Sequence, residues 1–256
     1  MKMTRPAFER HDLSSARRVL TVGDIHGCFD RLERQLDELG FDPDQDVLVL
    51  LGDLVDRGPH SDQALEWCDR AGVRRVLGNH EQIVDYAVNR GAKGFHHRAG
   101  GIWFEQIVEP EKRRNWAETL MDAPVAMEIT TPGGRRVGFV HADVPTNCWT
   151  QLEKVLTSPD HPEHDDTWAH CMWERHRIDR IEHLRDNPES ARPVPQPIRG
   201  IDHVFFGHTI VHQALTHQNC SFIDTGAFRG GDLTIVDVDA WLDRLDQQAD
   251  QAEMAA

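Results

Sequence analysis

Long apolar stretches are missing from this sequence. No run approaches the ~18 residues that crossing a bilayer requires, and no charged-then-apolar leader opens the chain, so neither a membrane protein nor a secreted precursor is expected. Basic charge is short as well: 28 Lys and Arg stand against 43 Asp and Glu, a net charge of −15 with histidine neutral. A phosphate backbone favours surfaces rich in Lys and Arg, so this balance argues against general nucleic-acid binding. Paired cysteines are lacking too. Cys28, Cys68, Cys148, Cys171 and Cys220 contain no C-x-x-C, which disfavours a disulfide framework or structural zinc and suits a reducing, cytoplasmic compartment. No internal repeat is visible. What remains is a chain of 256 residues, 39% hydrophobic, long enough to bury the core of one large domain.

Apolar periodicity organises that domain. Residues 1–17 read as a polar arm, residues 18–240 as one catalytic domain, and 241–256 as a tail that is helical or frayed. Val19–Val22 is a short buried strand stopping at Gly23. Leu32, Leu36 and Leu39 fall at helical spacing before Gly40. Val47–Leu51, apolar throughout, is typical of a strand covered on both faces, and stops at Gly52. Ser61 opens a second helix, and Val73–Leu77 is a third strand ending at Gly78. This β-α-β-α-β order implies parallel strands. Residues 91–121 read as helical, with Trp103, Phe104 and Ile107 on one face; Trp103, Trp116 and Trp149 are expected to be packing residues. Strands at 125–131 and 136–140 are joined by the hairpin turn Pro132-Gly133-Gly134. Residues 157–200, polar and proline-rich, read as a long surface excursion. Its HPEHDDTWAH segment, His161 to His170, is read as a solvated loop or lid rather than a further metal site. Strands return at 203–206, 221–223 and 233–238, the last two as an antiparallel meander.

Each of the first three strands ends in glycine followed at once by polar residues: Asp24-Ile25-His26, Asp53-Leu54-Val55-Asp56-Arg57 and Asn79-His80-Glu81. In open α/β sheets the carboxyl ends of parallel strands face the ligand crevice, so clusters 26 to 29 residues apart should meet in space. His141 and His208 follow two later strands in the same way. Carboxylate, imidazole and amide oxygen suit Mn²⁺, Fe or Zn²⁺. Asp24, His26, Asp53, Asn79, His141 and His208 can hold two such ions if Asp53 bridges them, leaving a site of about +1 with a bridging hydroxide, fit for a phosphate anion. Arg57 can grip two phosphate oxygens. His80, oriented by Asp56, can protonate a leaving alkoxide. Singly, an Asp-x-His or a Gly-His-Thr is a weak signal. Five polar clusters, each directly after an apolar strand, are not.

Gly23-Asp24-Ile25-His26-Gly27, Gly52-Asp53-Leu54-Val55-Asp56-Arg57-Gly58 and Gly78-Asn79-His80-Glu81 resemble the three signature blocks of the phosphoprotein phosphatase branch of the calcineurin-like metallophosphoesterases. His141-Ala142-Asp143, Gly207-His208-Thr209 and Asp224-Thr225-Gly226-Ala227 extend the likeness over residues 18–238. The resemblance implies an α/β fold of four layers, α/β/β/α, with a central β-sandwich of mixed sheets flanked by helices. It implies Asp24, His26 and Asp53 on one metal, and Asp53, Asn79, His141 and His208 on the other. His80 with Asp56 matches the general acid, and Arg57, Asn79 and a second arginine face the phosphate. Trp173-Glu174-Arg175 makes Arg175 that second arginine in preference to Arg177. The implied activity is hydrolysis of phosphoserine and phosphothreonine monoesters, with phosphotyrosine open, by attack of a metal-bridging hydroxide. Mn²⁺ is the first choice of ion, and the expected form is a monomer acting on phosphorylated proteins or peptides.

Symmetrical diadenosine-tetraphosphate hydrolysis on the same scaffold is the main rival, followed by another nucleotide phosphodiesterase and an inactive metal-binding scaffold. That sister group usually has Ala where Asp56 stands and Asp where Glu81 stands, so both positions side with the protein phosphatases.

Overall fold

Alternation of side chains decides the layering. A computed structural model describes residues 7–254. Its strands are β1 (Phe8–Asp12), β2 (Arg18–Val22), β3 (Asp46–Leu50), β4 (Val73–Arg75), β5 (Ala126–Thr130), β6 (Arg136–Val140), β7 (His203–Phe206), β8 (Leu215–His217), β9 (Cys220–Phe222) and β10 (Ile235–Asp237). The helices are α1 (Phe29–Glu38), α2 (Ala64–Cys68), α3 (Asn79–Asn89), α4 (Lys93–Arg98), α5 (Pro110–Met121), α6 (Trp149–Leu156), α7 (His164–Trp173), α8 (His176–Asp186) and α9 (Val238–Met254). One sheet has the order β10-β2-β3-β4, with β2, β3 and β4 parallel and β10 antiparallel to β2. The other is mixed, in the order β1-β5-β6-β7-β9-β8.

Period-2 burial then builds four layers. Val19, Val49 and Leu51 from the smaller sheet meet Met127, Ile129, Val137, Phe139 and Phe205 from the larger one, filling the space between them. The opposite faces carry Leu20, Val22, Leu48 and Leu50, covered by α1, α2, α3 and α5, and Val140, Val204, Phe206 and Phe222, covered by α6, α7 and α8. The result is α/β/β/α. Trp149 shows how tightly the outer layer seats. A Cβ on Gly138 would lie 2.5 Å from its ring, and its buried indole donates to Glu128 at 2.7 Å. Truncating such a residue costs about 3–5 kcal/mol.

Four expectations change. Residues 7–17 are not a free arm, because β1 pairs in parallel with β5 and buries Phe8 against Trp149. One apolar anchor among Glu9, Arg10, His11 and Asp12 gives no readable period; residues 1–6 lie outside the described residues. The 91–121 helix is broken into α4, a 3₁₀ turn (Gly101–Gln106) and α5, the first break falling where Gly100 takes φ +103°. The 157–200 excursion is not loop alone, because α7 and α8 within it bury Cys171, Met172, Ile178 and Ile181 in the outer helical layer, while histidines and charges dominate the rest of those helices. The 221–238 meander is replaced by two pairings. β9 pairs with β8, whereas β10 crosses to β2 in the other sheet after the Gly226, Gly230 and Gly231 turns. The tail forms most of α9, anchored by buried Leu242.

Candidate metal centre and phosphate pocket

Strand ends bring the polar clusters together, and the backbone bends sharply to do so. His26, Asp53, Asp56, Arg57 and His208 have φ of 44°, 50°, 71°, 68° and 63°. Among the described residues only Gln218 otherwise combines a side chain with positive φ. Each such residue stores strain of roughly 1–3 kcal/mol, which concentrates at functional sites. Gly78 is required here. A Cβ on it would lie 2.3 Å from the Asp53 nitrogen, so glycine lets the start of α3 press against the Asp53 loop. Buried Glu81 ties that junction, accepting the backbone N–H groups of Asp53, Leu54 and Gly78 at 2.8–2.9 Å.

Backbone carbonyls fix the imidazoles. His26 donates Nδ1–H to Val55 O (2.8 Å), His141 donates Nδ1–H to Leu51 O (2.6 Å), and His208 donates Nε2–H to Trp173 O (3.1 Å). The other nitrogen of each ring is thereby left with its lone pair facing inward. His141 Nε2, His208 Nδ1 and Asn79 Oδ1 then stand 3.0–3.1 Å from one another. Three acceptors so close, with no proton among them, repel unless a cation lies between. Asp53 Oδ1 is 3.4 Å from His141 Nε2, while its Oδ2 is 3.5 Å from His26 Nε2 and 3.9 Å from His80 Nε2. Asp24 Oδ2 is 3.8 Å from His26 Nε2 and, like Asp224 Oδ2, is a buried oxygen without a hydrogen-bond partner among the described residues. Two groups have the spacing of metal ligands: His26, Asp53 and His80, and Asp53, His141 and His208. Orphaned oxygens and inward lone pairs fit divalent ions of the N/O-preferring kind.

Electrostatics separate the roles. Burial pulls His26 down to about 3 and His208 to about 2, keeping both rings neutral, the form that binds metal. Burial works against ionised Asp53, but the nearby His80, whose own pKa is raised, opposes it, and the carboxyl is held well below the usual range. Burial first, then Asp224 and Asp53, push Asp24 far up; burial also raises Asp224 to about 6. Burial would lower His80, yet the Asp53 charge and the hydrogen bond to Asp56 outweigh it and raise its pKa. Proximity admits His80 as a ligand. Its Nδ1–H bond to Asp56 (2.8 Å) and raised pKa suit a proton donor better.

The arginines differ as sharply. Arg57 is exposed, lies 4.9 Å over the Phe228 ring and reaches His26 Nε2 at 2.8 Å. Exposed Arg175 opens α8, close enough for its charge to lower His208. Arg177 is buried and committed, donating to Gln196 O and Asn147 Oδ1 and pairing with Asp143. The structure thus brings together every residue expected at the site. Sequence reasoning missed the two further partners of Asp56, His96 and Trp103. It also missed Asp224 as part of the cluster; Asp224 follows a strand as Asp24 does, but Ile223 stands where Gly23 gave the first signal.

The ligand-spaced groups at the strand ends offer the donors that metal-assisted hydrolysis needs, and the class they point to is a metal-dependent hydrolase. The chain belongs to the calcineurin-like phosphoesterase family, whose model matches residues 17–212. It is 32% identical over 237 residues to serine/threonine-protein phosphatase 1 of Salmonella typhimurium, covering 91% of this chain and 98% of that one. It is 28% identical to the symmetrical bis(5'-nucleosyl)-tetraphosphatase of Delftia acidovorans, covering 84% and 90%. Among solved structures, a serine/threonine phosphatase from Saccharomyces cerevisiae superposes with TM-score 0.56 at 15% identity, covering 87% of this chain and 72% of that one. A protein-tyrosine phosphatase from a Shewanella species gives 0.56 at 18%, covering 91% and 78%. These two share the fold.

Proposed function

We propose that this protein is a phosphoprotein phosphatase that removes phosphate from serine and threonine, with Mn²⁺ as the preferred ion and the cytoplasm as its compartment. Asp24, His26 and Asp53 would hold one ion, and Asp53, Asn79, His141 and His208 the other. When bound, the pair supplies Lewis acidity towards the phosphoryl oxygens and a water acidified enough to attack. Arg57 and Arg175 clamp the phosphate, since guanidinium groups match two of its oxygens at once. His80 gives its proton to the departing seryl or threonyl oxygen, and Asp56 keeps the ring turned towards it. Five free cysteines suit a reducing compartment. Among the described residues no helix is long and apolar enough to cross a membrane. We read the active unit as a monomer.

The buried His80–Asp56 bond carries this reading, because a proton donor matters most for an alkoxide leaving group. Similarity over nearly the full length of a serine/threonine phosphatase supports it. Similarity to symmetrical tetraphosphatases keeps dinucleotide hydrolysis as the second reading. Side-by-side assay of Mn²⁺-loaded protein on phosphoserine peptides and diadenosine tetraphosphate decides between them: a higher kcat/KM on the peptides is expected, and a strong preference for the nucleotide would reverse the assignment.

A further inference from the structure

Asp56 is bound at both oxygens, and only one of those bonds belongs to His80. Oδ2 accepts the His80 Nδ1–H at 2.8 Å; Oδ1 accepts the His96 Nε2–H at 2.9 Å and the Trp103 Nε1–H at 2.7 Å. These two donors come from α4 and the 3₁₀ turn, 40 and 47 residues further along the chain. The same segment touches Arg57, whose N–H donates to Gly100 O at 3.3 Å. Glycines permit the approach. A Cβ on Gly100 would lie 2.7 Å from the Arg57 nitrogen, and one on Gly101 would lie 1.9 Å from the His96 ring. Phe104 packs edge-on against both donors, at 5.5 Å from His96 and 5.3 Å from Trp103. A carboxylate can turn about its Cβ–Cγ bond. Two N–H groups on Oδ1 fix its plane and leave Oδ2 aimed at His80.

We propose that His96 and Trp103 are positioning residues for proton delivery, holding Asp56 so that its other oxygen aims His80 at the leaving group. This rests on the phosphomonoesterase reading above. In that reaction the oxygen of water bonds to phosphorus, and the P–O bond to the alcohol breaks with its electron pair on the alcohol oxygen. His80 Nε2 gives that oxygen a proton; the proton lost by water passes to solvent, from which His80 is reprotonated. A p-nitrophenolate leaves without a proton, so the aim of His80 matters far less for it.

The test compares a phosphoserine peptide with p-nitrophenyl phosphate, using Mn²⁺-loaded wild type, Trp103→Phe, His96→Leu, His96→Gln and His80→Asn. Trp103→Phe and His96→Leu should each lose about tenfold in kcat on the peptide and less than about twofold on the aryl ester, and His96→Gln, whose amide can still donate to Asp56, should recover most of the loss. Equal losses on both substrates, no loss on the peptide, or loss of fold in both Trp103→Phe and His96→Leu would overturn the proposal. If His80→Asn itself loses equally on both substrates, the assignment of His80 as proton donor falls instead.

Discussion

The two sheets supply the centre in different ways. The four-stranded sheet delivers Asp24, His26, Asp53, Asp56, Arg57, Asn79 and His80 from three successive strand–loop units, β2, β3 and β4. The six-stranded sheet delivers His141 and His208 from β6 and β7, neighbours in space whose histidines stand 67 residues apart in sequence. Arg175 comes from the helices between those strands. The first group is a local property of the chain. The second exists only once β6 and β7 pair. Asp53 joins them, with one oxygen towards His26 and the other towards His141.

Removing that joint should have the largest effect. Asp53→Asn is expected to lower kcat on the order of 10³-fold and to reduce both bound ions, as read by metal analysis of dialysed protein. Asn79→Ala, which touches only the His141 and His208 side, should spare one ion. Two ions retained in Asp53→Asn would break the idea that the halves meet at that carboxylate.

Next comes His80, the proposed proton donor. His80→Asn should cost roughly 10²-fold in kcat on alkyl phosphates with little change in KM. Because the Asp53 charge and the Asp56 hydrogen bond raise the His80 pKa in the folded protein, the acid form persists to higher pH than in a free imidazole and is lost as pH climbs through that raised value. Wild-type kcat on a phosphoserine peptide should therefore fall on the alkaline side, and the His80→Asn profile should lack that limb. A limb that persists in the variant belongs to another group.

Arg175 and Arg177 sharpen the contrast within the second half. Arg175→Ala should raise KM about tenfold, a loss of about 1.4 kcal/mol, and leave Tm unchanged. Arg177→Ala removes the guanidinium beside buried Asp143, together with its bonds to Gln196 and Asn147, and should destabilise by about 3 kcal/mol, a loss read by urea unfolding. The opposite pattern would move the phosphate clamp to Arg177.

How much of this was legible follows the same division. Asp24, Asp53 and Asn79 stood out because each directly follows an apolar run and a glycine, so the strand end and the chemistry share a few adjacent letters. The sandwich was legible mainly through those motifs; β1, with Phe8 as its single apolar anchor, and the crossing of β10 to β2 were not. His96 and Trp103 could not be read, because they reach Asp56 only after the chain turns at Gly100, and a periodic pattern reports a helix face rather than a bend. Arg175 was preferred to Arg177 through its place after Trp173; what separates the two physically is burial, which their near-identical neighbourhood in sequence does not display.

The smallest expected effect lies at the other end of the strands, away from the strained loops and the candidate metal ligands. Asp46 opens β3 and accepts hydrogen bonds from Arg17 and Arg18 and from the Asp42 N–H, at 2.5–3.1 Å. Burial alone would raise its carboxyl; the arginines and the Asp42 N–H more than reverse this and hold it far below the usual carboxylate range. A depressed folded pKa gives stability that is complete above the unfolded value and fades as pH drops below it. Arg17 is half exposed, so solvent screening limits the contribution to about 1 kcal/mol. Asp46→Asn should lower the urea midpoint at neutral pH, and its deficit against wild type should shrink between about pH 5 and pH 3, while kcat on p-nitrophenyl phosphate stays at the wild-type level. A deficit that stays constant with pH would mean that Asp46 acts through hydrogen bonds the asparagine cannot replace rather than through its charge. An equal fall in activity would tie the base of the sheet to its catalytic edge, against the separation that confines chemistry to the strand ends.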